Sequence, residues 1–267
     1  MPATPGSMEP MSQPIYHLLP YSAWQEASEE SAYAPKNLST EGFVHFSGDE
    51  ATLLAVANAY YHDVTEPMAV LTVDPDRLTA KVRWEPPTQA SEDQLFPHVY
   101  GAIDKAAVIS VRHAQRDSDG RYTDLIRPPA TASALDLGPH PEGGWYRQTW
   151  ASPVRFTPPG RGERASATAI LFLLCPGEES RWHRVASDEL WLWHSGAALE
   201  LQLGGSHATP YPERTITLGP DRSADQRVQA LVPANTWQAA RPKTDEEVLV
   251  SCVVAPGFDF ADIEMTP

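Results

Sequence analysis

The chain has 267 residues, 42% of them hydrophobic, enough for one large or two modest domains with buried cores. A net charge of −15 excludes the basic patches that nucleic acids and acidic membrane surfaces select. Residues 1–131 carry 18 acids and 9 bases, residues 132–267 carry 17 and 11, so neither half is a basic arm. No apolar run approaches the ~18 residues of a spanning helix. Residues 1–13, rich in Pro, Ser and Met, have no charged or apolar region of the kind a signal peptide needs. They read as a disordered tail, with Met8 and Met11 as alternative starts, on a cytoplasmic protein. Cys175 and Cys252 each lie beside a strand-like apolar run and read as buried reduced thiols.

In chain order, residues 15–19 are expected as a strand. A helix is expected over 22–31, with Ser22 as N-cap and Gln25 closing a capping box. A strand over 42–47 and an Ala- and Leu-rich helix over 49–61 follow. Further strands are expected over 68–73, 82–85 and 107–111. Mixed strands and helices make residues 14–126 an α+β domain. Residues 127–134, Pro and small residues without periodicity, read as a linker. Beyond it nearly everything is strand: 168–174, 189–193, 198–203, 215–218, 229–232, 237–240 and 248–254. Many short strands at close spacing, with turns such as Gly204-Gly205 between them, give an all-β sandwich or barrel over 135–267.

The most informative stretch runs from Gly177 to Gly196. A glycine is followed after five residues by His183, then by Glu189 six further on, then by Gly196. This is the spacing of the first cupin motif, in which a second histidine normally stands where this chain has Val185. Strand alternation places Arg181, His183 and Val185 on one face, and Glu189, Trp191 and Trp193 on one face, with His194 opposite. An imidazole, a carboxylate and two indoles on an inner wall supply the apolar surface and few polar anchors of a small-ligand pocket. The second motif is matched by Pro233-Ala-Asn235-Thr-Trp-Gln238. Arg227 replaces its leading glycine, Asn235 a glycine for which asparagine also tolerates a left-handed turn, and Gln238 its histidine. His183, Glu189 and Gln238 make a thin metal set, since such sites use at least three good ligands. No cofactor is expected. A weakly held divalent ion completed by waters is the alternative.

Residues 135–264 resemble the cupin-5 branch, the domain of unknown function 985. The resemblance rests on His140-Pro-Glu-Gly-Gly-Trp-Tyr-Arg147, residues 168–174, Ser180-Arg-Trp-His-Arg184, Asp188-Glu-Leu-Trp191, Val232-Pro-Ala234 with Trp237-Gln-Ala-Ala240, and residues 254–260. It implies a double-stranded β-helix (a cupin barrel), a homodimer through that domain, and sugar-nucleotide epimerases of the same superfamily as structural relatives. Glu142 and Arg147 would bind ligand or brace a subunit interface.

Nearer the N-terminus, three elements stand out: His17, His45 in Gly42-Phe-Val-His-Phe-Ser47, and Phe96-Pro-His98-Val-Tyr100-Gly101. They resemble the domain of unknown function 952. That family implies a fold shared with ADP-ribosyltransferases and a cleft lined by His17, Tyr33, His45, Ser47, Glu85 and His98. The sequence departs from that pattern, because His17 is followed by two leucines and no Glu-x-Glu occurs late in the domain.

The functional expectation is a cupin fusion protein that binds a small polar metabolite, a sugar or nucleotide-sugar. It would isomerise or epimerise it with His183 as base and Glu189 orienting it, while Arg181, Trp191, Trp193, Gln238, Glu142 and Arg147 contact the ligand. A non-catalytic metabolite-sensing or assembly module is the alternative, and a weak metal-dependent enzyme a further one.

Overall fold

The computed structural model describes residues 12–27, 30–64, 66–86, 94–117 and 119–266. The chain divides into two compact units, Met1–Arg127 and Pro128–Pro267. Met8 and Met11 and most of the expected tail lie outside the described residues.

The first unit is built on a four-stranded antiparallel sheet in the order Ile15–Pro20, Met68–Val73, Val108–Arg116, Tyr122–Ile126. Every residue of Met68–Val73 is buried, because this central strand is covered on both faces. One face packs against Tyr33, Val44, Phe46, Val99 and Ile103, the other against Leu53 and Ala57. Leu53 and Ala57 belong to the helix Glu50–Tyr60, which starts where Asp49 accepts the Thr52 backbone N–H at 2.7 Å. A smaller sheet joins Val44–His45, Phe96–Tyr100 and Lys81–Glu85.

Local differences from the expectation have local causes. The helix expected over 22–31 is Tyr21–Glu26, with Pro20 at its N-cap. Ser22 does not cap it; its hydroxyl donates instead to Glu66 at 2.6 Å. Residues 28 and 29 lie outside the described residues. Pro97 masks the strand Phe96–Tyr100 in the sequence, yet its carbonyl accepts the Phe46 N–H at 2.9 Å.

The second unit is nearly all strand. A six-stranded sheet runs Gly138–Pro139, Trp145–Ala151, Thr168–Leu174, Val248–Ala255, Asp188–Gly196, Gln229–Val232. A five-stranded sheet runs Arg214–Leu218, Leu199–Leu203, Gln238–Pro242, Ser180–Val185, Ile263–Met265. Phe172, Trp191, Leu199, Leu201, Val248 and Val250 form the core between them. The expected closed barrel is therefore corrected: among the described residues these are two separate large sheets, together with a two-stranded pair of Arg155–Phe156 and Arg164–Ala165. The expected linker is corrected too: Ala130–Ala134 is a short helix with Ala132 fully buried, and Thr131 bonds the Glu247 carboxylate.

Replacing Asp49 by Ala removes the acceptor for the first-turn amide. It should destabilise the first unit by about 1 kcal/mol, read as a lower urea midpoint. An unchanged midpoint would mean that the cap does not hold this helix.

Candidate functional site

His183 lies in the strand Ser180–Val185, which pairs with Gln238–Pro242 on one side and Ile263–Met265 on the other. The register slips between Ser180 and His183, so both residues are buried although they are three apart. This bulge overturns the simple alternation. Arg181, expected inside with His183, is exposed, and its guanidinium donates to the Pro141 carbonyl at 2.6 Å.

The same bulge anchors a turn from a distant part of the chain. Arg181 donates its backbone N–H to the Glu142 carbonyl at 2.9 Å, while His140 and Gly144 close the turn at 2.9 Å. Gly143 and Gly144 have φ of 113° and 70°, and a Cβ on Gly143 would stand 2.1 Å from the Glu179 carbonyl oxygen. Only glycine lets the turn sit this close, and the turn drives Glu142 inward. Glu142 Oε2 lies 3.2 Å from His183 Nε2, and Glu142 Oε1 accepts from the Ser180 hydroxyl at 3.1 Å. His140 Nδ1 accepts the Glu142 backbone N–H at 3.3 Å, and its ring packs edge-on to Tyr146 at 4.4 Å.

His183 Nδ1 donates to the Arg181 carbonyl at 2.8 Å, which fixes the tautomer. In the neutral ring Nε2 is then a lone pair facing a carboxyl oxygen, and one proton must lie between them. Burial decides where it sits. Burial raises Glu142 to about 8, against the smaller downward effects of the Ser180 hydroxyl and Arg181. Burial also lowers His183, against the raising effects of Glu189 and the Arg181 carbonyl. Both shifts favour the uncharged pair, in which the Glu142 carboxyl O–H donates to His183 Nε2. His140 is lowered to about 3 by burial and then by the neighbouring His183, so it stays neutral.

Glu189 comes from the opposite sheet and engages a second network. It accepts from the Gln238 amide and from the Cys252 thiol, and burial raises its pKa. The Gln238 amide oxygen in turn accepts the Trp191 indole N–H at 2.9 Å. The carboxyl in direct contact with His183 is Glu142, while Glu189, expected to orient it, acts on the ring through charge. Both polar ends of Gln238 are engaged within the protein, so His183, Glu189 and Gln238 do not fit a metal ion as they stand. Among the described residues no group of three or more His, Cys, Asp or Glu side chains is arranged to hold one.

Two further residues expected at the ligand lie elsewhere. Arg147 donates to the Leu135 carbonyl at 3.0 Å, bracing the short helix that precedes it. Trp193 donates to the Ala197 carbonyl at 3.0 Å and packs on the core. Sequence reasoning had not identified His140 and Ser180 as site residues. The signal for the first was its place at the head of a Pro-Glu-Gly-Gly turn; the second was hidden by the bulge. The second motif docks on the first as Asn235, at φ 61°, donates its N–H to the Val185 carbonyl at 2.7 Å.

In the first unit the six expected cleft residues fall into two groups. His17 donates from Nδ1 to the His45 carbonyl at 2.8 Å, with Tyr33 and Phe46 rings at 6.0 and 5.1 Å. Burial lowers His17 to about 4 and raises Tyr33 to about 12. The other group is built around Glu85, which accepts from His98 at 2.8 Å and Tyr100 at 2.7 Å. His98 stacks on Phe43 at 4.1 Å, and the exposed His45 side chain turns to Glu41 at 3.0 Å. Ser47 is buried and pairs through its backbone with Tyr16.

The family profile described as "Cupin superfamily (DUF985)" matches residues 130–266, just over half of the chain. That described as "Protein of unknown function (DUF952)" matches residues 18–111. Among solved structures, a protein from Shewanella oneidensis is 34% identical, with 52% of this chain and 85% of that one covered and a TM-score of 0.46. A hypothetical protein from Leishmania major is 29% identical over 52% and 88%, with a TM-score of 0.47. A protein from Caulobacter crescentus is 20% identical over 41% and 93%, with a TM-score of 0.33. No curated protein matches. Among the described residues no helix is long and apolar enough to cross a membrane.

The raised carboxyl has a consequence for stability. Glu142 binds its proton up to about pH 8 when folded but only to the ordinary carboxyl value of 4.5 when unfolded. Stability from it is complete below pH 4.5 and is lost as pH rises through 8. Above pH 6.5 the buried histidines, neutral in both states, no longer offset this loss. Wild type should therefore lose stability from pH 6.5 to 8, and Glu142→Gln should flatten the slope. An equal slope in the variant would contradict the buried carboxyl.

Proposed function

The chain belongs to the cupin superfamily family DUF985, and from that membership we propose that its second unit binds a small polar metabolite at the His183–Glu142 pair and isomerises it. The observation carrying this reading is the 3.2 Å contact between His183 Nε2 and Glu142 Oε2, with Nδ1 held by the Arg181 carbonyl. Such a pair is an acid and a base in one contact. Glu142 gives its proton to a ligand carbonyl oxygen, and the freed Nε2 takes a proton from the adjacent carbon. Reversal at the neighbouring carbon returns both protons, so the protein ends as it began. This cycle fits a hydroxy-carbonyl compound such as a sugar or the sugar end of a nucleotide-sugar. Epimerisation at one carbon would need a further group on the opposite face. The reading includes a homodimer through this unit, supported by Val228 and Leu231, 56% and 55% exposed at the edge of the six-stranded sheet.

A second reading, a non-catalytic sensing or assembly module, is favoured by the Trp191–Gln238–Glu189 network, whose polar atoms are bonded to one another. Calorimetry and turnover assays with aldoses, ketoses and nucleotide-sugars separate the two. Isomerisation should be lost in His183→Ala and reduced at least about 100-fold in Glu142→Gln. Binding without turnover in wild type would favour the module. Binding and turnover unchanged in His183→Ala would move the site elsewhere.

A further inference from the structure

Among the described residues of the first unit, the buried Thr72 Oγ1 and Arg112 Nε have no hydrogen-bond partner, and neither has His17 Nε2 on the other side of the sheet. The first two lie side by side on the sheet face covered by the helix Glu50–Tyr60. Tyr16 is paired with Thr72, and Thr72 with Ser110, so these three side chains form one row across three strands. Arg112, two residues beyond Ser110, points to the same face. Its guanidinium reaches across to the Tyr16 ring, 5.9 Å from the centroid, and donates through Nη2 to Glu50 at 2.7 Å.

Thr72 is 9% exposed, and its hydroxyl oxygen is buried with no hydrogen-bond partner among the described residues. Arg112 Nε is likewise buried and unpartnered. A buried donor left unmade costs about 1–3 kcal/mol, more for a charged group. Two in one place therefore call for an acceptor that enters from outside. The Nε–H can only donate, so the partner must present oxygen lone pairs. The helix N-terminus does not supply the site, because Asp49 already takes the Thr52 amide there. The donors are side chains alone: the guanidinium Nε–H and a hydroxyl, with Ser110 beside them. A guanidinium N–H with a neighbouring hydroxyl is a donor set that recognises single phosphate or carboxylate oxygens.

We propose that Thr72 and Arg112, flanked by Ser110 and Tyr16, form a binding site for a small oxyanion, separate from the His183 site. The oxyanion accepts from Arg112 Nε and Thr72 Oγ1 and leaves the Arg112–Glu50 pair in place.

The test uses the full chain and two probes, inorganic phosphate and acetate, each titrated against chloride at constant ionic strength. Two signals are read: the 1H–15N resonance of the Arg112 Nε–H and the thermal midpoint. At least one probe should shift the Nε–H resonance saturably and raise the midpoint. Thr72→Val keeps the side-chain shape, removes only the hydroxyl, and should weaken that probe about tenfold. A response to phosphate alone assigns a phosphoryl group, and a response to acetate alone a carboxylate. A wild type whose Nε–H answers neither probe, with bound water satisfying both donors, would overturn the site. So would a response of unchanged strength in Thr72→Val.

Discussion

Two titratable groups buried against each other set the character of the second unit. His183 and Glu142 are 1% and 6% exposed and meet at 3.2 Å. Neither can hold a charge there cheaply, and together they need only one proton. The Arg181 carbonyl fixes the imidazole, the Ser180 hydroxyl fixes one carboxyl oxygen, and the Gly143-Gly144 turn fixes the backbone that brings Glu142 in. The surrounding architecture keeps that pair dry and aimed. The five-stranded sheet carries His183, the opposite sheet carries Glu189 and Trp191, and the turn closes one end.

The pair differs from the arrangement its motif implies. Where the cupin spacing provides histidines, this chain has Val185 and Gln238. Val185 is buried, and its carbonyl holds the Asn235 turn. Gln238 joins Trp191 to Glu189. The two substituted positions do structural work within the protein, and the carboxyl beside His183 is that of Glu142. Cupin membership thus supplies the frame, while the buried His183–Glu142 pair depends on a turn outside both motifs.

The legible parts of the sequence were those governed by local pattern. Residues 68–73, 168–174 and 229–232 are strands with the bounds their apolar runs predict. The Ala- and Leu-rich helix expected over 49–61 is present as Glu50–Tyr60. Asn235 takes the left-handed conformation its substitution for glycine implies. The illegible parts depended on partners far along the chain. A register slip at Ser180 turned Arg181 outward, and no single-strand alternation can anticipate a slip set by two neighbouring strands. The contact of Glu142 with His183 follows from a turn docked on that same bulge. Ser22 had the residue type and spacing of a cap, but Glu66 offered its hydroxyl a stronger, charged acceptor.

The central claim is that His183 and Glu142 share a single proton as an uncharged pair. The most direct measurement is the 15N chemical shift of both His183 ring nitrogens in the full chain between pH 5 and 8. The account predicts a protonated Nδ1 and a hydrogen-bonded, unprotonated Nε2 through pH 7, with no imidazolium signal. A ring protonated at Nε2, alone or together with Nδ1, would contradict it.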